Sequence, residues 1–399
     1  MEKKINILFV IESLACAGAE KSLLTLLSLI DYSKYSVALQ LFSHNGELQS
    51  LLPHKVNLLP LPEYLEFTSL SLKSAFFKGL REKKVKYLLS RLKFSYILRR
   101  NGTDNVLRAR LFWEINSSCI NNLNKEYDIA IAYAQGTPTF FVVDKVVAKK
   151  KFAWINVSYN LKGIEKEYQR EYYKIFDKIV LVSFTAKEVF SKVYPEYKEK
   201  LKVIYDINNP NIIEKMAKIG EKLPKTNKHL NLLTIGRFTW QKGYDLALDA
   251  CKILKEKGIK FKWYVIGKGA LRKEIEEKVR KMKLEENFIF LGVTSNPYGY
   301  IKSSDIYVQP SKHEGFGLAI AEARILNIPV VTTEFDSVYN QMVQRKNGIV
   351  TPMNGEGVAN GILELIENKQ LRYEIIEYLK NEKKGNLEEY DNFLKLLNS

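Results

Sequence analysis

The stretch Ile306-Tyr307-Val308-Gln309-Pro310-Ser311-Lys312-His313-Glu314-Gly315-Phe316-Gly317-Leu318-Ala319-Ile320-Ala321-Glu322-Ala323 decides the architecture. Its first four residues, three of them apolar, form a short run of the kind a buried strand shows. Gly315-Phe316-Gly317 then supplies a turn, and the residues from Leu318 onward read as a helix. A strand leading through a glycine turn into a helix is half of a βαβ unit, so the sheet it belongs to is parallel. The helix start presents free N–H groups and the positive end of its dipole, a setting for an anion. Seven residues separate Glu314 from Glu322, one ahead of the helix and one about one and a half turns inside it. The two carboxylates should therefore reach different parts of a ligand lying across the helix start.

Upstream, Gly236-Arg237-Phe238-Thr239-Trp240-Gln241-Lys242-Gly243-Tyr244-Asp245 repeats the scheme. It follows the apolar run Leu230–Ile235 and enters a helix containing Leu246, Leu248, Ala250 and Ile253. Glycine at the strand end lets the backbone turn closely. Arg237 offers a planar fork and Lys242 a point charge, a pair suited to one diphosphate.

Working outward, strand candidates alternate with helices along the whole chain. Ile5–Ile11, Ser36–Phe42, Val56–Leu59, Ile129–Tyr133, Lys151–Asn156 and Lys178–Val182 make a first series. Leu230–Ile235, Phe261–Ile266, Phe288–Leu291, Ile306–Gln309 and Val330–Thr332 make a second. The first strand ends in a loop, Ser13-Leu14-Ala15-Cys16-Ala17-Gly18, before a helix from Ala19. Between the series, Tyr205-Asp206-Ile207-Asn208-Asn209-Pro210-Asn211 is rich in turn formers. The expectation is an α/β protein of two Rossmann-like domains with a cleft between them, residues 1–206 and 207–383. A C-terminal helix over about 384–399 would rejoin the first domain.

The 399 residues suit two such domains, and a 46% hydrophobic share excludes a disordered or fibrous chain. Cys16, Cys119 and Cys251 are an odd, widely spaced set, which argues against a disulfide scaffold or a zinc site and suits a reducing cytosol. Asn6 and Glu12 interrupt the first apolar run, so it reads as a strand rather than a signal peptide, and no later run reaches 18 apolar residues. Membrane contact, if any, is then peripheral.

The net charge of +17 is unevenly placed. From Ser71 to Arg110 there are twelve Lys/Arg against Glu82 and Asp104, interleaved with Phe76, Phe77, Leu80, Leu88, Leu89, Leu92, Phe94 and Tyr96. This reads as a basic helical insertion over 71–110. It suits a solvated helical face or an anionic membrane surface or phosphorylated lipid acceptor. Nucleic acid is disfavoured because no recognition motif accompanies the charge.

Together these motifs resemble the retaining nucleotide-sugar glycosyltransferases of the GT-B fold, the large group called family four. The resemblance covers essentially the whole chain and is most specific from Asn231 to Gly357. It rests on Gly236-Arg237 with Lys242-Gly243, on Glu314-x7-Glu322 around Gly315-Phe316-Gly317, and on Gly18-Ala19-Glu20. Ile328-Pro329-Val330-Val331-Thr332-Thr333 and Asn347-Gly348-Ile349-Val350 support it. The resemblance implies that Arg237 and Lys242 hold the donor diphosphate, that Glu322 binds the ribose, and that Glu314 contacts the sugar near the reacting carbon. It implies that Gly236 and the backbone of Gly315, Phe316, Gly317 and Leu318 cradle sugar and phosphate. Gly267 and Val293 would border the base, and Gly18 would leave room for the diphosphate.

Relatives commonly carry His near Tyr133 and at Asn156. Here Tyr133, Gln135, Gly136 and Asn156 are expected on the acceptor side instead. No Asp-x-Asp motif is present, so neither metal nor other cofactor is expected, and the protein cations would compensate the leaving diphosphate. The implied activity is retaining, metal-independent hexosyl transfer from a UDP-sugar, the commonest donor among similar proteins, to a saccharide or lipid-linked acceptor. Bacterial capsule, O-antigen or teichoic acid assembly is the implied setting, in the cytoplasm at the inner face of the cell membrane. The rival reading is a non-catalytic GT-B-like binding subunit that stabilises a partner transferase.

Overall fold

The computed structural model describes residues 4–15, 18–44, 46, 48–101, 104–157, 159–225 and 228–398. Cys16 and Ala17 of the first glycine loop lie outside these residues. The chain divides into two compact units. Ala19–Ile204, with the residues up to Ala15 and those from Phe393, makes one; Tyr205–Asn392 makes the body of the other.

The first unit is built on a seven-stranded parallel sheet in the order β3-β2-β1-β4-β5-β6-β7. Its strands are β1 (Ile5–Ile11), β2 (Tyr35–Leu41), β3 (Asn57–Leu58), β4 (Tyr127–Ala132), β5 (Ala148–Ile155), β6 (Lys178–Leu181) and β7 (Leu201–Val203). β1 lies at the centre, with Ile7 opposite Val37 on one side and Ile129 on the other. Ile7, Leu8, Phe9 and Val10 are wholly buried, as both faces of a parallel sheet are covered by its crossover helices. Among those helices are α1 (Gly18–Leu29), α2 (Glu63–Ser69), α3 (Leu72–Arg81), α4 (Val85–Asn101), α5 (Asn105–Asn116) and α6 (Thr137–Lys145).

The basic segment is thus α3, α4 and the start of α5. Its inner side is tied to the unit by a buried polar hub: Asn116 Oδ1 accepts from Tyr64 at 2.5 Å and from Ser90 at 2.7 Å. The Asp104 side chain caps α5 by accepting the Val106 and Leu107 amides. Trp113, buried on α5, donates its indole N–H to Asp144 at 2.6 Å. At the far end of the chain Phe393 brings the C-terminal helix (Glu388–Asn398) into this core, its ring 6.3 Å from those of Phe9 and Trp154.

The second unit has a six-stranded parallel sheet in the order β10-β9-β8-β11-β12-β13. Its strands are β8 (Leu230–Ile235), β9 (Phe261–Ile266), β10 (Phe288–Gly292), β11 (Ile306–Gln309), β12 (Val330–Thr333) and β13 (Gly348–Thr351). β7 and β13 were not foreseen as strands; runs of three and four residues at sheet edges are too short to display a period. In both sheets the first strand of the unit is central and the order of addition reverses beside it, between β1 and β4 and between β8 and β11. Open parallel sheets bind ligands at the carboxyl ends of the strands flanking such a reversal.

Candidate active site

β8 and β11 are hydrogen-bonded neighbours, so the loops leaving them start side by side. After β8 the chain runs through Gly236 and Arg237 into a single 3-10 turn, Trp240–Lys242, which ends at Gly243. Gly243 has φ 62°, and a Cβ there would stand 1.8 Å from the Pro310 carbonyl oxygen, so only glycine lets the two loops touch. The Lys312 amide completes the junction by donating to the Gln241 carbonyl at 2.7 Å.

This junction brings the two motifs together. Lys242 Nζ donates to Glu314 Oε1 at 2.6 Å. The same oxygen accepts Gln309 Nε2 at 2.8 Å and Ser311 Oγ at 2.7 Å. Gln309 is itself held: its Oε1 accepts the Tyr307 hydroxyl at 2.5 Å, which turns its amide nitrogen toward Ser311 and Glu314. Tyr307, Gln309 and Ser311 are buried. Burial pushes the Tyr307 hydroxyl well above its ordinary pKa and does the same to Tyr244, with the Glu314 charge adding to the effect. Both phenols are therefore permanent donors, Tyr244 to the Gly236 carbonyl at 2.7 Å. Three donors converge on Glu314 Oε1, whereas Oε2 has none among the described residues.

Lys242 has three ammonium protons and gives one to Glu314. Its aliphatic chain passes 3.1 Å from where a Cβ on Gly236 would lie. Arg237, next to Gly236, is exposed and has no acidic partner among the described residues. The site thus offers an unpaired guanidinium and a partly free ammonium around one fixed carboxylate.

The Gly315-Phe316-Gly317 turn is fixed from behind. Gly317 has φ 82° and caps the helix Leu318–Ile325. Gln341 Nε2 donates to the carbonyls of Phe316 and Gly317, and Ser337 Oγ donates to the Glu314 carbonyl at 3.0 Å. With the carbonyls engaged on one side, the amides of Phe316, Gly317 and Leu318 have no acceptor among the described residues. Glu322 is 2% exposed and turned inward, its Oε1 accepting the Tyr298 hydroxyl at 2.9 Å. Gly267 follows β9 and donates its amide to the Gly292 carbonyl at 2.7 Å, with Val293 exposed just beyond. His313 lies 4.0 Å from Asp336, and the ring of exposed Trp240 is covered by Lys312 Nζ at 5.1 Å.

In the first unit the four residues expected on the acceptor side also gather, at the carboxyl ends of β4 and β5. Tyr133 is 2% exposed, stacked on Trp154 at 4.8 Å, with its hydroxyl 3.0 Å from Ser22 Oγ. Asn156 donates its side-chain amide to the Tyr133 carbonyl at 2.8 Å and its backbone N–H to Gln135 Oε1 at 3.2 Å. Asn156 Oδ1 is buried with no hydrogen-bond partner among the described residues. Gly136 opens α6, and Gly18 stands at the start of α1. Trp113, Trp154 and Trp263 are core residues.

The sequence profile of the glycosyl transferases group 1 family matches residues 215–382, within the second unit. The second unit matches a group 1 glycosyl transferase domain. An uncharacterized glycosyltransferase of Methanocaldococcus jannaschii is 28% identical over 172 residues, 41% of this chain and 41% of that protein. An uncharacterized 41.2 kDa protein in the cps region of Klebsiella pneumoniae is 26% identical over 245 residues, 57% of this chain and 64% of its own. These matches span about half the length of the curated relatives. Among solved structures, Anabaena HepE in complex with UDP and glucose aligns over 99% of both chains, with 15% identity and a TM-score of 0.68. The whole chain accordingly has the GT-B fold, and the residues that match the group 1 profile lie in its second half.

Four residues that hold the motif side chains and the glycine turn in place escaped the motif reading: Gln309, Ser311, Gln341 and Tyr298. Gln309 alone gave a signal, as a polar residue closing a strand buried on both faces. The others act from sites that no local spacing relates to Glu314 or Glu322.

Proposed function

We propose that this protein is a retaining, metal-independent glycosyltransferase that moves a hexose from a UDP-sugar to a saccharide or lipid-linked acceptor. The observation that carries the reading is the clasp of Lys242 on Glu314 beside the unpaired Arg237. Breaking the anomeric C–O bond builds negative charge on the departing diphosphate and positive charge on the sugar. Arg237, the remaining Lys242 protons and the free amides of Phe316, Gly317 and Leu318 compensate the first without a metal ion. Glu314 Oε2, the oxygen without a donor, receives a sugar hydroxyl and faces the second charge. Glu322 holds the ribose once Tyr298 yields it. In a retaining substitution the leaving phosphate oxygen accepts the acceptor's proton, so the chain needs no separate base. Tyr133, Gln135, Gly136 and Asn156 meet the acceptor, Asn156 through its unpartnered Oδ1.

The place of the Klebsiella relative in the cps region supports a role in polysaccharide synthesis, and the UDP bound by HepE supports the donor class. In this reading the protein works at the inner face of the bacterial cell membrane, with the 71–110 segment toward anionic lipid. The test is nucleotide release from a panel of UDP-, GDP- and ADP-sugars. Release from a UDP-sugar that persists in EDTA is expected, with the anomeric configuration kept in the transferred sugar. Absence of both release and nucleotide binding across the panel would falsify the proposal.

A further inference from the structure

We propose that α3 and α4 insert apolar side chains into an anionic lipid bilayer, so that the first unit is held by penetration and not by charge alone. This deepens the reading of a transferase that meets a lipid-linked acceptor. α3 rests on the unit through small residues: Ala75 and Gly79 are buried, and a Cβ on Gly79 would lie 3.5 Å from the Phe67 ring. Its outward side carries Leu72, Phe76, Phe77 and Leu80, which are 48–70% exposed. On α4, Val85, Leu89, Leu92 and Tyr96 recur every three or four residues and are 46–61% exposed. That spacing places them on one stripe. The opposite side of α4 is already committed to the unit through Ser90 and Tyr87. Two neighbouring helices that leave eight large apolar side chains in water have an interaction face that the fold itself does not use.

The cations narrow the partner. Several are consumed internally: Lys84 pairs with Glu63 and Glu82, Arg91 donates to the Leu70 carbonyl, and Arg110 pairs with Glu114 and Glu165. Lys73, Lys93 and Arg99 are exposed with no acidic partner among the described residues. They punctuate the apolar positions, the arrangement in which Lys and Arg stems lie along acyl chains while their heads reach lipid phosphates. A second copy of the chain would set these cations against themselves across a two-fold contact. A phosphate-bearing bilayer pairs with them instead. No helix among the described residues is long and apolar enough to cross a membrane, so insertion is confined to the interface.

Vesicle co-sedimentation of the full chain tests this, with phosphatidylglycerol/phosphatidylcholine vesicles against phosphatidylcholine alone. The wild type should pellet with the anionic vesicles. Phe76→Ser with Phe77→Ser should weaken that binding by about 30-fold while leaving every charge in place. Phe77→Trp should show a blue-shifted emission on adding the same vesicles. Unchanged binding of the double serine variant, an unshifted tryptophan, or equal pelleting with neutral vesicles would overturn the proposal. So would light scattering that shows a wild-type dimer and a monomeric serine variant, because the face would then belong to a second copy. Nucleotide release measured without vesicles separates the two readings. A wild type that releases nucleotide but ignores vesicles overturns insertion alone; one that binds vesicles without releasing nucleotide overturns the transferase.

Discussion

At the carboxyl ends of β8 and β11, Lys242, Gln309, Ser311 and Glu314 are drawn into one hydrogen-bonded network backed by Tyr307. In the first unit, past β4 and β5 and so one strand over from the β1/β4 reversal, two aromatic rings are stacked and Asn156 Oδ1 has no partner among the described residues. Both sheets reverse at the same place in the strand order. Topology therefore fixes where each half offers a site, and side chains fix what it offers. The second unit is pre-organised around charge. The first gathers two buried, stacked aromatic rings and two amide side chains instead.

The largest effect should follow from breaking the charged half of that contrast. Lys242→Ala removes the cation that holds Glu314 and, in the proposed reaction, faces the diphosphate. A loss of about 10²–10³ in kcat, the scale for one electrostatic donor, is expected in nucleotide-release assays at saturating donor. Glu314→Gln should lower kcat comparably while UDP affinity by calorimetry stays near wild type. Full kcat in either variant would remove the clasp from the chemistry.

A smaller effect should separate positioning from contact. Gln309→Met keeps the volume but loses the donor to Glu314. kcat is expected to fall about tenfold with donor KM unchanged, the outcome of losing about 1.4 kcal/mol of transition-state stabilisation. Tyr307→Phe acts on the same amide, so the double variant should be no slower than Gln309→Met alone. Additive losses would show that Tyr307 and Gln309 serve different purposes. A lowered melting temperature with unchanged kcat would make the network structural only.

The comparison also shows what the residues disclosed in advance. β1, β8, β9 and β11 were legible with their bounds because they are buried apolar runs four to seven residues long, ended by glycine loops or turn formers. The family resemblance implied that Lys242 and Glu314 serve one donor but not that they touch, since 71 intervening residues give no local period. Nothing in the spacing revealed that Glu314 would gather three donors on one oxygen, because the Gln309 rotamer depends on Tyr307 behind it. The basic segment was legible as charge but not as a surface. α4 carries apolar residues on both faces, one half-buried and one in water, so no amphipathic signal marks which side faces out.

The smallest effect concerns two tryptophans that occupy comparable buried places in the two sheets. Trp263 on β9 donates its indole N–H to Thr234 Oγ1 at 2.9 Å, while the Trp154 indole N–H on β5 is buried without a partner among the described residues. Replacing either by phenylalanine removes similar ring volume, so the packing losses should largely cancel in the difference. What remains is the hydrogen bond. Trp263→Phe abolishes a satisfied pair and strands a hydroxyl lone pair, whereas Trp154→Phe discards a donor that gained nothing in the fold. Trp263→Phe should thus be the more destabilising by about 1 kcal/mol in urea unfolding. Equal losses would mean that the Trp154 indole finds a partner such as a bound water. The first unit's site would then hold an ordered polar group beside the Asn156 Oδ1 acceptor, and the contrast between the two halves would narrow.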